Sequence, residues 1–380
     1  MVYLDNAATS YHKPPEVAQA VYDAVLHLGN SGRSGHALSL TASRVIYKER
    51  KKIATLFGAA DASHVVFTSN STQALNMAIG GLFQAGDHVI TTAMEHNSVL
   101  RPLYQKEQEG VTLTILPCDA GGTVCYDALE RAVRPETKGI VCTHASNLTG
   151  NLVDINRIGA FCKKHHLLFL LDASQTAGVF PIDMQNMGID IVCFTGHKSL
   201  FGPQGTGGLC LREGMVLPHF CVGGSGVQSY SKTHPEQLPT RLEAGTLNGH
   251  GIAGLSAALD WIETKGLSQI RQKENHLMQL FYQGVKEIPQ VRIYGDFSTA
   301  ERAPIVALNI NTYASEEVCD ALAEQYEIAT RGGAHCAPLM HTHFGTVEQG
   351  AVRFSFSYFN TEEEITKAVQ AVRNIAEEWA

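Results

Sequence analysis

In FTGHKSLFGPQGTGG, residues 194–208, Lys198 follows a histidine at the end of an apolar run and opens onto glycines. A lysine near the C-terminal edge of a sheet is partly desolvated, which lowers its pKa and frees the amine for a Schiff base with an aldehyde. A surface lysine is the plainer reading, and the glycines form neither a P-loop nor a dinucleotide-binding pattern. Upstream, LLFLLDASQ ends an all-apolar run on Asp172, with Gln175 three residues on. A strand that apolar is buried on both faces, so the carboxylate at its end needs a cationic or hydrogen-bonding partner. A pyridinium N–H serves, and so does a helix start that the aspartate caps.

In VVFTSNSTQALN a strand runs into a helix starting near Ser71 or Thr72. Free N–H groups and the positive dipole end suit a phosphate there, although plain N-capping uses the same residues. In TTAMEHNSVL, His96 follows a strand end and either stacks on a planar ring or is a satisfied polar residue. In RGGAHCAPLM, residues 331–340, Cys336 lies between a histidine and an alanine in a glycine-bracketed loop, as a candidate nucleophile. His341 and His343 follow in HxH spacing; with no further ligand in view, a polar loop is the better reading than a metal pair. A lysine for an aldehyde, an acid for a ring nitrogen, a helix terminus for a phosphate and an aromatic face for a ring are united by one cofactor, pyridoxal 5'-phosphate (PLP). An acid beside the ring nitrogen keeps it protonated, so that the ring draws electrons from the substrate Cα.

These residues need a scaffold that gathers strand ends. From about residue 63 to 212 short β-branched runs (VVFT, HVITT, VTLTIL, GIVCTH, LLFLLD, DIVCF, GGLCL) alternate with helical stretches, one of them over 155–165. That rhythm predicts an α/β fold with a mostly parallel, doubly wound sheet and a site at the strands' C-terminal ends. It stops after the Gly/Ser-rich stretch 222–230 and the helical pattern ending near 266. Two domains are expected: a large one over 14–262 and a smaller α+β one over 263–380, joined by the N-terminal segment 1–13. In the smaller one a helix around 270–285, a strand at IVALNI, a helix over 315–326, the cysteine loop, a strand at AVRFSFSY and a helix from Thr361 follow in turn.

Composition narrows the function classes. With 44% hydrophobic and 17% charged residues the chain reads as soluble and globular. A net charge of -8, with no basic cluster longer than RKK at 50–52, argues against nucleic acid. The N-terminus has no basic-then-apolar signal and the longest apolar block, LLFLL, is too short to span a bilayer, so a cytoplasmic protein with no membrane partner is expected. Nine cysteines without a CxxC pair argue against a disulfide framework, and Cys142, Cys193 and Cys210 sit in strand-like runs as small buried hydrophobes.

Nearly end to end the chain resembles the class V, fold-type I PLP enzymes, and within them the cysteine desulfurases and selenocysteine lyases of the SufS/NifS group. The motifs that carry this are YLDNAATS, RSGHALS, TSNSTQALN, MEHNSVL, SNLTG, LDASQTAG, FTGHKSLFGPQGTG, RLEAGTLN, RGGAHCAP and VRFSFSYFN, in that order. The resemblance implies a seven-stranded-type sheet and a homodimer. It implies that Lys198 carries the cofactor, Asp172 meets the ring nitrogen, Gln175 the ring hydroxyl, and His96 stacks on the ring and acts in catalysis. Ser71, Thr72, Thr195 and His197 are implied as phosphate ligands, with Thr246 reaching the partner subunit's phosphate. Asn147, Arg331 and His36 are implied at the substrate, and Arg353 at its carboxylate, where a bidentate guanidinium suits the planar anion.

Arg331, Gly333, His335, Cys336 and Ala337 match the loop signature and mark Cys336 as the nucleophile; Ala334 departs from it, standing where the family carries a first histidine. The implied reaction converts L-cysteine to L-alanine, leaving the sulfur on Cys336 as a persulfide for an acceptor protein and iron–sulfur cluster assembly. Arg331 or a protonated His335 is expected to favour the thiolate. A selenocysteine lyase acting on L-selenocysteine needs the protein nucleophile less. Transamination or kynureninase-type cleavage leaves the RGGAHCA loop unused, and fold and cofactor do not fix the reaction. A non-catalytic PLP-binding scaffold is opposed by the intact Lys198, Asp172, Arg353 and Cys336.

Overall fold

The structure, a computed structural model, describes residues 1–31 and 36–379. Arg33, Ser34 and Gly35 of the RSGHALS motif lie outside the described residues. The chain starts with strand β1 (Val2–Tyr3) and helices α1 (Pro15–His27) and α2 (Ala37–Phe57). The predicted alternation follows: β2 (Val65–Thr68), α3 (Ser71–Leu82), β3 (His88–Thr92), α4 (Asn97–Gln108), β4 (Thr112–Leu116), the short α5 (Leu129–Ala132), β5 (Thr137–Thr143), α6 (Ile155–His165), β6 (Leu168–Asp172), β7 (Ile191–Thr195) and β8 (Gly207–Leu211). Then come α7 (Gly249–Lys265) and α8 (Leu267–Val285), which meet at Gly266.

The seven strands β2 to β8 form one sheet in the order β2-β8-β7-β6-β5-β3-β4. Strands β3 to β7 pair in parallel: α4, α5 and α6 cross between successive strands from β3 to β6, and the long helix-free connection 173–190 crosses from β6 to β7. The exception to the sequence rhythm is β8, which runs antiparallel to both β7 and β2. No helix separates β7 from β8; the glycine-rich turn carrying Lys198 returns the chain directly, and a direct return reverses the strand. Every residue of β3, β7 and β8 is buried, which is why these strands read as unbroken apolar runs and not as alternating ones. Phe169, Leu170 and Leu171 of β6 are at most 1% exposed, each contributing about 1.5–3 kcal/mol of hydrophobic stabilisation.

The remaining chain runs β9 (Val291–Tyr294), β10 (Ile305–Ile310), α9 (Ser315–Tyr326), β11 (Ile328–Ala329), α10 (Pro338–Phe344), β12 (Val352–Ser355) and α11 (Glu362–Glu378). An antiparallel sheet in the order β12-β10-β9 packs through Val306, Leu308, Val352 and Phe354 against Phe281 of α8 and Ile365 and Val372 of α11. A capping box between Thr361 and Glu364 starts α11. The N-terminus adds β1 beside β11 in parallel.

All nine cysteines are free thiols, and Cys142, Cys193 and Cys210 are fully buried in strands as the sequence suggested. His341 and His343 lie on a helix, α10, and not on the expected loop. At spacing two they face different sides of it, and the buried His341 bonds Thr346 Oγ1 through Nδ1 at 2.8 Å. Among the described residues no three metal-ligating side chains form a site, and no helix is long and apolar enough to cross a membrane.

Candidate active site

The C-terminal ends of β2, β3, β5, β6 and β7 open towards β12 and the cysteine loop, and the motif residues converge there. Asp172 is the last residue of β6, 3% exposed, and Oδ1 accepts from Ser174 N at 2.9 Å and from Ser174 Oγ. It therefore caps a turn and not the helix start that the alternative reading expected, while its burial raises the carboxyl pKa against the lowering pull of Ser174 and Lys198. Lys198 lies three residues past the end of β7. Burial pushes its amine down to about 8; Asp172 opposes that shift, and Arg353 and Arg331 add to it.

His96 is the N-cap of α4, and its Nδ1 accepts from Ser98 N at 3.0 Å. A ring nitrogen that accepts a backbone N–H carries no proton, and burial with the nearby Lys198 pushes the pKa down to about 4, so the ring is neutral with its hydrogen on Nε2. Its neighbour Glu95 is fully buried, accepts from Thr92 Oγ1 at 2.5 Å and from Thr143 N at 2.9 Å, and is pushed up to about 8 by burial. Sequence reasoning passed over Glu95 although it stands beside His96 in MEHNSVL.

Helix α3 starts at Ser71 as expected, but its cap is Asn70, whose side chain accepts from Gln73 N at 2.9 Å. Thr72 Oγ1 lies 2.8 Å from Ser98 Oγ, which joins the starts of α3 and α4. Thr195, at the end of β7, keeps a buried hydroxyl with no partner. His197 Nδ1 lies 3.1 Å from Thr9 Oγ1, and burial lowers its pKa to about 4. An orphaned hydroxyl, two helix starts and a desolvated amine beside a buried carboxyl form a donor set that fits a phosphate-bearing aldehyde such as PLP.

The cysteine loop docks on the same cleft. Asn147 Nδ2 donates to His335 O at 2.7 Å, and Asn97 N, one residue past His96, donates to Cys336 O at 2.8 Å. His335 and Cys336 are both left-handed, with φ of 50° and 56°, a conformation that costs a non-glycine residue about 1–2 kcal/mol. These two bonds hold the half-buried Cys336 in place. The expected cationic His335 is not present: Nε2 donates to Ala351 O at 2.8 Å, and burial and Arg353 push the pKa down to about 2. The neutral ring cannot supply positive charge to the thiol, and Arg331 is exposed on the same loop.

Arg353, 2% exposed, donates through Nη2 to Asp5 Oδ1 at 2.8 Å and through Nη1 to Asn147 O at 3.0 Å, while Nε is buried without a partner. Gln175 Nε2 donates to Ala7 O at 3.1 Å. Two expected residues are not brought to this cluster by the single chain. His36 is exposed and caps α2 by accepting from Ser39 N at 3.3 Å, and Thr246 is exposed on the segment leading to α7.

The sequence model of one family, aminotransferase class-V, matches residues 2–368. A probable cysteine desulfurase of Methanothermobacter thermautotrophicus is 32% identical over 381 residues, covering 99% of this chain and 94% of the relative. A cysteine desulfurase of Serratia proteamaculans is 32% identical over 390 residues, covering 99% and 93%. Among solved structures, a cysteine desulfurase from Thermococcus onnurineus superposes with a TM-score of 0.92 at 29% identity, over 99% of this chain and 95% of that one. The cysteine desulfurase CsdA from Escherichia coli gives 0.89 at 30% identity, over 99% and 94%. With its sequence matched from residue 2 to residue 368, the chain belongs to the class-V aminotransferase family, whose members depend on PLP.

Proposed function

We propose that this chain is a cysteine desulfurase that converts L-cysteine to L-alanine and takes the sulfur onto Cys336. The observation that carries this is the docking of the cysteine loop: Asn147 and Asn97 hold His335 and Cys336 over the cleft that contains Lys198, Asp172 and His96. An aminotransferase needs no such cysteine. PLP, when bound, supplies a carbonyl for the substrate amine and an electron sink that acidifies its Cα–H. The phosphate would be held by the first turn of α3 at Ser71 and Thr72, the orphaned Thr195 hydroxyl and His197, with Thr246 reaching the partner subunit's site in a homodimer. The exposed apolar residues Tyr22, Val25 and Leu26 of α1 and Leu38, Leu40 and Tyr47 of α2 support that dimer.

Arg353 binds the substrate carboxylate beside Asn147, while Asp172 would hold a proton on the cofactor's ring nitrogen and Gln175 would meet its ring hydroxyl. Neutral His96 would help to hold the ring. Lys198, its pKa near 8, moves the Cα proton as general base and acid. The Cys336 thiolate attacks the substrate sulfur; an S–S bond forms, the substrate's C–S bond breaks, and the electron pair stays on the carbon to be protonated. Thiol plus L-cysteine thus gives persulfide plus L-alanine, with no external oxidant or reductant.

The test is to incubate purified protein with L-cysteine, L-selenocysteine and kynurenine, and to measure sulfide or selenide, alanine and the mass of the Cys336 peptide. Wild type is expected to gain one sulfur atom on Cys336 and release alanine from L-cysteine, and Cys336→Ala to do neither. Undiminished sulfur release by Cys336→Ala overturns the persulfide step, and release confined to selenocysteine assigns the lyase reaction instead.

A further inference from the structure

The N-terminal segment runs across the cleft and is stitched to both of its walls. On one wall Ser355 N donates to Leu4 O at 2.7 Å, and Ala7 N donates to Ser355 Oγ at 2.9 Å. On the other, Gln175 reaches Ala7 O, and Ser10 N donates to His197 O at 3.1 Å, one residue from Lys198. The segment is thereby fixed between β12 and the turn that carries the lysine.

Asp5 hangs from this segment and meets a specific electrostatic problem. Arg331 and Arg353 stand directly opposite each other in an isolated antiparallel bridge, with Arg353 N donating to Arg331 O at 2.8 Å. Opposite residues of such a bridge point to the same face, and like charges placed so repel. Arg353 is also 2% exposed, and a buried guanidinium without a counter-charge is costly. Asp5 is the carboxylate that pairs with it, through Nη2, and with Nη1 held by the Asn147 carbonyl the plane of the guanidinium is set by two bonds on different elements. Its remaining N–H groups, the orphaned Nε among them, are left for an anion.

We propose that Asp5 is a positioning residue of the active site, fixing the Arg353 fork for the substrate α-carboxylate, so that selectivity for carboxylate-bearing amino acids depends on the N-terminal segment. This rests on Arg353 being the carboxylate site of the proposed desulfurase. Asp5 does not touch the reacting atoms. Its loss costs carboxylate recognition and leaves amine recognition intact.

The experiment titrates the cofactor-loaded wild type, Asp5→Ala and Asp5→Asn with L-alanine and with L-alaninamide, which lacks the carboxylate, following the cofactor's visible absorption. KM and kcat for L-cysteine are measured alongside. Asp5→Ala is expected to weaken L-alanine roughly tenfold or more, the scale of one charge-assisted hydrogen bond, and to change L-alaninamide by less than about twofold. KM for L-cysteine rises by a similar factor while kcat stays within roughly threefold. Asp5→Asn, which keeps an acceptor for Nη2, falls between, and it carries the test if Asp5→Ala does not fold. Equal weakening of both ligands, or L-alanine affinity within twofold of wild type in both variants, overturns the proposal. A wild type that discriminates the two ligands but releases no alanine from L-cysteine removes the desulfurase reading and leaves the role of Asp5 standing.

Discussion

Asn147 joins the carboxylate site to the cysteine loop: its carbonyl accepts from Arg353 Nη1 at 3.0 Å while its side-chain amide donates to His335 O at 2.7 Å. The amide bond is buried, so removing it leaves the His335 carbonyl unsatisfied at a cost of about 1–3 kcal/mol. The left-handed pair His335–Cys336 loses one of its anchors at the same time, keeping those to Asn97 and Ala351. Asn147→Ala is expected to speed alkylation of Cys336 and slow desulfuration, each roughly tenfold. Unchanged alkylation would show that the loop does not depend on this bond.

Gly178, in LDASQTAG, carries φ of +90°, and a Cβ there would lie 2.3 Å from Ser199 O and 2.8 Å from Ser199 C. The obstacle is backbone of the residue after Lys198, which cannot swing aside as a side chain can. Gly178→Ala therefore displaces the lysine turn, at a cost on the order of 2–4 kcal/mol from strain and overpacking together. Thermal unfolding is expected to fall several degrees, and the cofactor to wash out on desalting. Full cofactor retention would overturn the link between this glycine and the lysine.

Local chemistry was legible in the sequence, and long-range pairing was not. Strands β3, β8 and β10 coincide with the runs HVITT, GGLCL and IVALNI, and α6 and α9 with their apolar periodicity, because each is fixed by its own residues. Asp172, Lys198 and His96 could be placed at strand ends for the same reason. The reversal of β8 could not, since hydrophobicity records burial and not direction. His335 reads as a possible cation until its burial and its bond to Ala351 are known, 16 residues away. Asp5 stands in the quoted motif YLDNAATS, yet its partner is 348 residues distant, and no local pattern announces such a pair.

The cofactor-free protein should reveal the state of Lys198 directly. With the amine pushed from 10.5 down to about 8, it is protonated below that pH and freed as pH rises through it. Roughly a tenth is free base at pH 7, against well under one in a thousand for an ordinary lysine. Reductive methylation of Lys198, followed by peptide mass analysis, is expected to show a midpoint near 8. Because Asp172 opposes the shift, Asp172→Asn should move the midpoint lower still. A midpoint at the ordinary lysine value would mean that the amine is solvated.

Far from the site, Glu49 on α2 is 0% exposed, and burial raises its pKa from 4.5 to about 8, with Asp260 adding to the rise and Lys52 and Lys48 opposing it. The folded state then holds a proton that the unfolded state has lost, so stability falls as pH climbs from about 4.5 to about 8 and is not lowered further by this group above that. Glutamine keeps the shape and removes the ionisation. Glu49→Gln is expected to match wild type near pH 5 and to exceed it by an order of 1–3 kcal/mol at pH 8, read as a difference in thermal midpoint that widens with pH. The sign is the decisive part: an ionised Glu49 stabilised by Lys52 and Lys48 would make the same substitution destabilising at pH 8, because that attraction would be lost.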